Sequence, residues 1–289
     1  MKRNPPQDHP SRRLPAQGWL GLALIALFWP LNWLLPGLRT HMLFFPLWLG
    51  YILTVDGLVS LRKGTSLLGR SWRRFIGLFF ISAPAWWLFE LFNKRTQNWR
   101  YWGEEQFTGL QFFIFSTISF TIVIPAVFET AELWSAYLRP LRGPTLGPTR
   151  RTMNMFFLTG LVMLTLLLIW PRYFFPFLWL SLFFLLEPLN AALGFPTLLT
   201  ATKEGNWTPV ATLGLGALTC GFFWEMWNYF AFPKWTYNIP FVDFARIFEM
   251  PLLGYGGYPT FALELYALYN FLTGLAHRVR TDYVQLTRP

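Results

Sequence analysis

Four side chains between residues 225 and 264 could handle protons in an apolar surround. Glu225 and Asn228 stand three positions apart near the end of a long apolar run, so on a helix they share one face. Glu249 follows within Phe248-Glu249-Met250-Pro251, and Glu264 sits inside Phe261-Ala262-Leu263-Glu264-Leu265-Tyr266. Charge is costly to keep at membrane depth, so carboxyls in such a setting demand a purpose. Burial favours the protonated form of a carboxyl, and an amide one turn away can orient it. Around the acids stand Trp224, Trp227, Trp235, Tyr237, Tyr255 and Tyr258. A ring face stabilises a cation in a dry site by roughly 2 kcal/mol or more. An acid that delivers a proton and rings that hold the resulting carbocation are the tools of alkene chemistry. The expected catalytic set is Glu225, Glu249, Glu264 and Asn228, with the six aromatic residues as the substrate-binding wall. A structural alternative stands beside each role. Glu225 could reach a headgroup layer, Glu264 could hydrogen-bond a neighbouring helix, and the indoles could belong to an interfacial aromatic belt.

The elements that must position these groups are helices in a bilayer. The chain is 54% hydrophobic and only 13% charged, against about 25% charged in soluble domains. Apolar runs of about 20 residues follow one another with short basic breaks, the pattern of a polytopic helical membrane protein. The alternating ten-residue segments of a transmembrane barrel are missing. The expected fold is all-α, with eight spans at about 19–38, 42–61, 72–92, 108–134, 155–170, 173–193, 209–230 and 241–276, the last with a re-entrant beginning. Most of the 24 Lys and Arg residues fall on one side of that arrangement, which places both termini in the cytoplasm of a cell-membrane protein. Residues 1–18 read as a disordered tail, 141–152 as a basic cytoplasmic linker and 278–289 as a second cytoplasmic tail.

Two membrane units, 19–140 and 153–277, repeat each other. Phe44-Phe45-Pro46 answers Phe174-Phe175-Pro176, and Asp56 answers Glu187. Glu90 and Asn93 answer Glu225 and Asn228, Trp99-Arg100-Tyr101 answers Trp235-Thr236-Tyr237, and Pro125 with Glu129 answers Pro259 with Glu264. The offset stays at about 130 to 136 residues. Four spans per unit give parallel copies related by a pseudo-twofold along the membrane normal, with a site at their interface. Glu90, Asn93 and Glu129 are thus the first unit's counterparts of the site residues. Asp56 and Glu187 read as turn organisers that pair with inner arginines.

Several chemistries are disfavoured. The net charge of +10 is explained by topology, so no nucleic-acid partner is expected. The lone Cys220 allows no internal disulfide, and His9, His41 and His277 lie outside the apolar runs, against haem or chlorophyll ligation. No nucleotide-binding, serine-hydrolase, zinc-protease or dithiol motif occurs. No metal and no cofactor are expected. The expected partners are the lipid bilayer and a lipophilic small molecule, with homo-oligomerisation left open.

At Trp224-Glu225, Trp235-Thr236-Tyr237, and Pro259 with Glu264, the chain resembles the small integral-membrane carotenoid-modifying enzymes, chiefly the heterodimeric and fungal-type lycopene cyclases. The likeness covers about a quarter of the chain. It implies two related repeat units that protonate a polyene without redox change, as a cyclase, isomerase or hydratase would. The sequence departs from that family where paired acids after the proline become a single Glu five positions on, and where each repeat has four expected spans in place of about three. Two other readings compete with an enzyme: a proton-coupled secondary transporter with a broken helix at 254–259, and a non-catalytic membrane scaffold or assembly factor.

Overall fold

The computed structural model describes residues 13–277 and 283–288. Residues 1–12 of the expected N-terminal tail, and 278–282 and 289 of the C-terminal one, lie outside the described residues. The first half runs through α1 (Ala16–Leu34), α2 (Thr40–Lys63), the short α3 (Leu67–Arg70), α4 (Trp72–Thr96), β1 (Trp99–Trp102), α5 (Gly109–Phe120) and α6 (Val123–Tyr137). The second half holds α7 (Arg150–Ile169), α8 (Pro171–Phe174), α9 (Ser181–Leu193), α10 (Leu198–Lys203), α11 (Thr208–Tyr229), β2 (Lys234–Tyr237), β3 (Arg246–Ile247), β4 (Met250–Pro251) and α12 (Gly257–His277). The molecule is mainly helical, with two small two-stranded sheets.

Among the described residues, five helical stretches are long and apolar enough to cross a membrane: α1, α2, α4, Gly109–Tyr137 and α7. A sixth arises if Pro171–Trp179 and Ser181–Leu193, bent by 42°, act as one. α11 and α12 have 22 and 21 residues but fall outside this set, because Thr208, Thr212, Glu225, Asn228, Glu264 and Asn270 lower their hydropathy. Residues 241–256 do not form a spanning helix; they fold as turns, the β3–β4 hairpin and a 3-10 turn.

Close helix packing organises the bundle. A Cβ on Gly21 of α1 would lie 2.5 Å from the Gly50 carbonyl of α2, so only glycine lets the two backbones approach in this way. Leu20, Leu22 and Leu27 of α1, and Leu158, Leu161 and Val162 of α7, stay exposed and form apolar outer faces. Inside, Trp48, Phe89, Phe128, Trp227 and Phe261 are fully buried.

The turns after α2 and α9 share one construction. Asp56 accepts from the Leu68 amide (2.9 Å) at the start of α3, while Ser66 caps that helix and also donates to Asp56. Glu187 accepts from the Leu199 amide (2.8 Å) at the start of α10, with Thr197 as its cap. Both acids thus hold helix N-termini, as the turn-organising role requires. Their carboxylates bond amide and hydroxyl groups there, and the expected inner arginines are not among those partners. The basic segment 141–152 is no free linker either. Leu141 donates its amide to Thr208, Leu146 to the Thr202 carbonyl, and Gly143 to the Gly205 carbonyl.

The described part of the C-terminal tail is also docked. Tyr283, Val284 and Leu286 are buried. The Tyr283 hydroxyl donates to the Leu67 carbonyl (2.6 Å), and the Gln285 amide donates to Glu132 (2.7 Å), whose carboxylate also pairs with Arg70. The reading of 278–289 as a cytoplasmic tail did not include this docking, because the segment's apolar residues are too few to register as a helix.

Candidate functional site

The site begins where α4 and α11 end. Asn228 of α11 accepts from the Trp235 amide (2.9 Å) and donates to the Trp235 carbonyl (2.7 Å). Asn93 of α4 accepts from the Trp99 amide (3.3 Å) and donates to the Trp99 carbonyl (2.9 Å). Each asparagine therefore behaves like a strand partner and fixes the tryptophan of a Trp-x-Tyr strand against the helix end; Asn228 was expected to orient the Glu225 carboxyl, and its amide is spent on the Trp235 backbone instead. The strands then pair antiparallel, Trp99 opposite Tyr237 and Tyr101 opposite Trp235. Residues two apart on a strand share a face, so this register brings both indoles and both phenols to one side.

Behind each phenol stands a carboxylate. The Tyr237 hydroxyl donates to Glu225 Oε1 at 2.7 Å, the Tyr258 hydroxyl donates to the same oxygen at 2.7 Å, and the Trp235 indole donates to the Tyr237 oxygen at 2.9 Å. Glu225 is wholly buried and its Oε2 has no hydrogen-bond partner. In the other half the Tyr101 hydroxyl donates to Glu90 Oε1 at 2.5 Å, joined there by the Trp86 and Trp99 indoles at 3.0 Å each. Tyr101 and Tyr237, on strands outside the helices, are held well above the ordinary phenol range, first by burial and then by the adjacent carboxylate. Both phenols stay protonated as donors.

A cavity of about 530 Å³ lies in front of these groups. Trp86, Trp99 and Tyr101 line it from the first half, and Trp224, Trp235, Tyr237 and Tyr258 from the second. Trp179, stacked on Phe89, and Phe261 complete an aromatic floor. The carboxylates themselves do not line this cavity; the phenols stand between them and it. Glu90 and Asn93 border a second, more open cavity of about 570 Å³, together with Trp99 and Tyr101.

The expected carboxylate triad does not assemble. Glu249 forms an ion pair with Lys234, and its other oxygen is 3.9 Å from Arg246, so it ties the β3–β4 loop to β2. Glu264 accepts from the Leu182 amide at 2.9 Å; it caps the N-terminal end of α9 at the bend, the helix–helix role foreseen as its alternative. Glu129, its counterpart by sequence, faces Asp56 and Glu132 in the other half and has no such amide. Trp227 packs away from the cavity, against Trp48, Trp29 and Phe223. Tyr255 donates to the Ile247 carbonyl at 3.1 Å and is not on the lining.

Two participants escaped the sequence reading. Trp86, outside the expected aromatic set, donates to Glu90; its position one turn before Glu90 was the available signal. Gly221 holds the matching position before Glu225, and a Cβ there would meet the Tyr258 ring at 2.4 Å. The halves thus make opposite choices: Trp86 with Ile124 at the position answering Tyr258, against Gly221 with Tyr258.

Among the described residues, no group of three or more His, Cys, Asp or Glu is placed to hold a metal ion. Comparison with protein-family models, with curated proteins and with solved structures returns no match.

Proposed function

We propose that this chain is a multi-pass membrane enzyme that transfers protons to and from a C=C bond of a long lipophilic, isoprenoid-like substrate held in the aromatic cavity. The observation that carries this reading is the buried Glu225 carboxyl behind two phenols that face an apolar, ring-lined cavity. A buried carboxyl with no cation among its bonded partners is a proton holder, since two phenol hydrogen bonds replace only part of the hydration that its charged form would lose. When Glu225 is protonated, its contact with Tyr237 or Tyr258 can run in the opposite sense. The phenol then gives its own proton to the substrate as it takes one from the carboxyl. The surrounding indoles stabilise the cation, and loss of a proton from the adjacent carbon, or capture of water, completes an isomerisation, cyclisation or hydration. No redox step is needed.

In this reading the chain is an internal duplication of four spans per unit in a cell membrane, with α11 and α12 as the seventh and eighth spans and both termini on the cytoplasmic side. Matching contacts at Asn93 and Asn228, at Glu90 and Glu225, and at Asp56 and Glu187 support the duplication. The carotenoid version draws support from the resemblance at Trp224-Glu225 and Trp235-Tyr237. Against the transporter reading, Asp56 and Glu187 are engaged at helix N-termini.

The test incubates membranes containing the protein in D2O with lycopene and with shorter polyprenyl compounds, followed by mass spectrometry. Wild type should introduce deuterium, with or without the added mass of water, and Glu225→Gln at equal membrane level should not. Lipids recovered unlabelled across the whole panel would defeat the proposal.

A further inference from the structure

The cavity is apolar along its depth but not at its sheet end. Thr40 and His41 at the start of α2, Asn98 just before β1, Glu104 just after it, and Lys234 at the start of β2 all border it there. This end is built, not incidental. The Arg39 and Thr40 amides both donate to the Phe232 carbonyl at 3.0 Å, and Thr40 Oγ1 accepts from the Phe232 amide at 2.8 Å, which pins α2 beside the approach to β2.

Two of these groups lack partners. Asn98 is 3% exposed, and its Oδ1 makes no hydrogen bond. His41 Nδ1 is likewise buried and unbonded, its ring held edge-on between Phe107 and Phe115. Buried polar groups are ordinarily satisfied, and an orphan points to something that completes it. Asn98 Oδ1 can only accept, and an imidazole nitrogen can accept or donate, so the matching ligand group is a hydrogen-bond donor such as a hydroxyl. The charges at this end argue against an anion: Lys234 is taken by Glu249, and Glu104 and Glu105 add negative charge beside the strand.

We infer that the sheet end of the cavity is a head-group subsite for a neutral, hydroxyl-bearing end of an amphipathic long-chain lipid, with Asn98 and His41 as its recognition residues. This rests on the reading of the cavity as a lipid site, and deepens it: the substrate has one polar end and enters with that end toward the sheet. The same charges disfavour a diphosphate head.

The experiment uses detergent-solubilised full-length protein and tritiated geranylgeraniol, competed by unlabelled geranylgeraniol, by a C20 hydrocarbon of the same chain and by geranylgeranyl diphosphate. The alcohol should compete about tenfold better than the hydrocarbon, the worth of one well-made hydrogen bond, and better than the diphosphate. Asn98→Leu and His41→Phe should bring the alcohol down to the hydrocarbon's level and leave the hydrocarbon unchanged. Unchanged hydrocarbon binding also shows that each variant is folded. Equal competition by alcohol and hydrocarbon in the wild type overturns the subsite while leaving the cavity intact, as does tightest binding by the diphosphate. Variants that keep the full preference for alcohol overturn the roles of Asn98 and His41. Absence of binding by all three ligands removes the lipid cavity, and with it both proposals. Loss of deuterium exchange with the alcohol preference retained would strike the chemistry alone.

Discussion

The ends of α4 and α11 answer the same structural problem with different outcomes. Both carry a glutamate and, three residues on, an asparagine that fixes a Trp-x-Tyr strand, and in both the tyrosine bonds the glutamate. They diverge one turn earlier. Trp86 fills the space before Glu90 and offers an indole donor, whereas Gly221 leaves that space empty and the Tyr258 ring from α12 enters it. Glu90 therefore has three donors on one oxygen and borders an open cavity. Glu225 has two phenols, complete burial and a free second oxygen. Two similar helix ends can separate in role through one exchange of bulk: here the large side chain sits on the helix of the acid in one case and on the helix facing it in the other.

The largest expected effect tests that separation directly. General acid catalysis is worth about 10² to 10⁴ in rate, so Glu225→Gln should lower deuterium incorporation at least a hundredfold, and Glu90→Gln by less than tenfold. Equal losses would mean that the two halves share the chemistry. Next come the asparagines, where the halves should agree. Asn93→Ala and Asn228→Ala each leave a tryptophan amide and carbonyl short of partners, at a cost of about 1–3 kcal/mol. Thermal unfolding in detergent should show similar shifts for the two variants; a shift confined to one would break the equivalence of the strand ties. The smallest effect should come from single donors. Tyr258→Phe should cost about 1 kcal/mol and reduce activity, because it removes one of two routes from Glu225 to the cavity. Trp86→Phe leaves Glu90 with two donors and should leave activity near wild type. If Tyr258→Phe is silent, Tyr237 alone serves the acid.

Much of the scaffold is legible along the chain. Long apolar runs set the helices within a few residues, since hydropathy over 20 positions is a local property. Asn93 and Asn228 were legible as a matching pair, but their role was not: the spacing suggested an amide that orients the glutamate, and the structure ties each to a tryptophan backbone six or seven residues on. Glu249 and Glu264 were misread for a related reason. An acid in an apolar run looks the same whether it faces a substrate, a lysine on a neighbouring strand or the amide end of a helix 82 residues away.

By itself, then, the sequence determined a mainly helical chain with membrane-length apolar helices, the paired Glu–Asn positions and the Trp-x-Tyr segments after them. Only the tertiary structure decided that β1 pairs with β2, that the phenols and not Glu90 or Glu225 face the cavity, that Gly221 makes room for Tyr258, and that the C-terminal segment closes over Glu132. The physical reason is range. Helix formation and capping depend on neighbours a few positions apart, whereas burial, cavity lining and hydrogen-bond pairing depend on groups brought together from more than 30, and often more than 130, positions away.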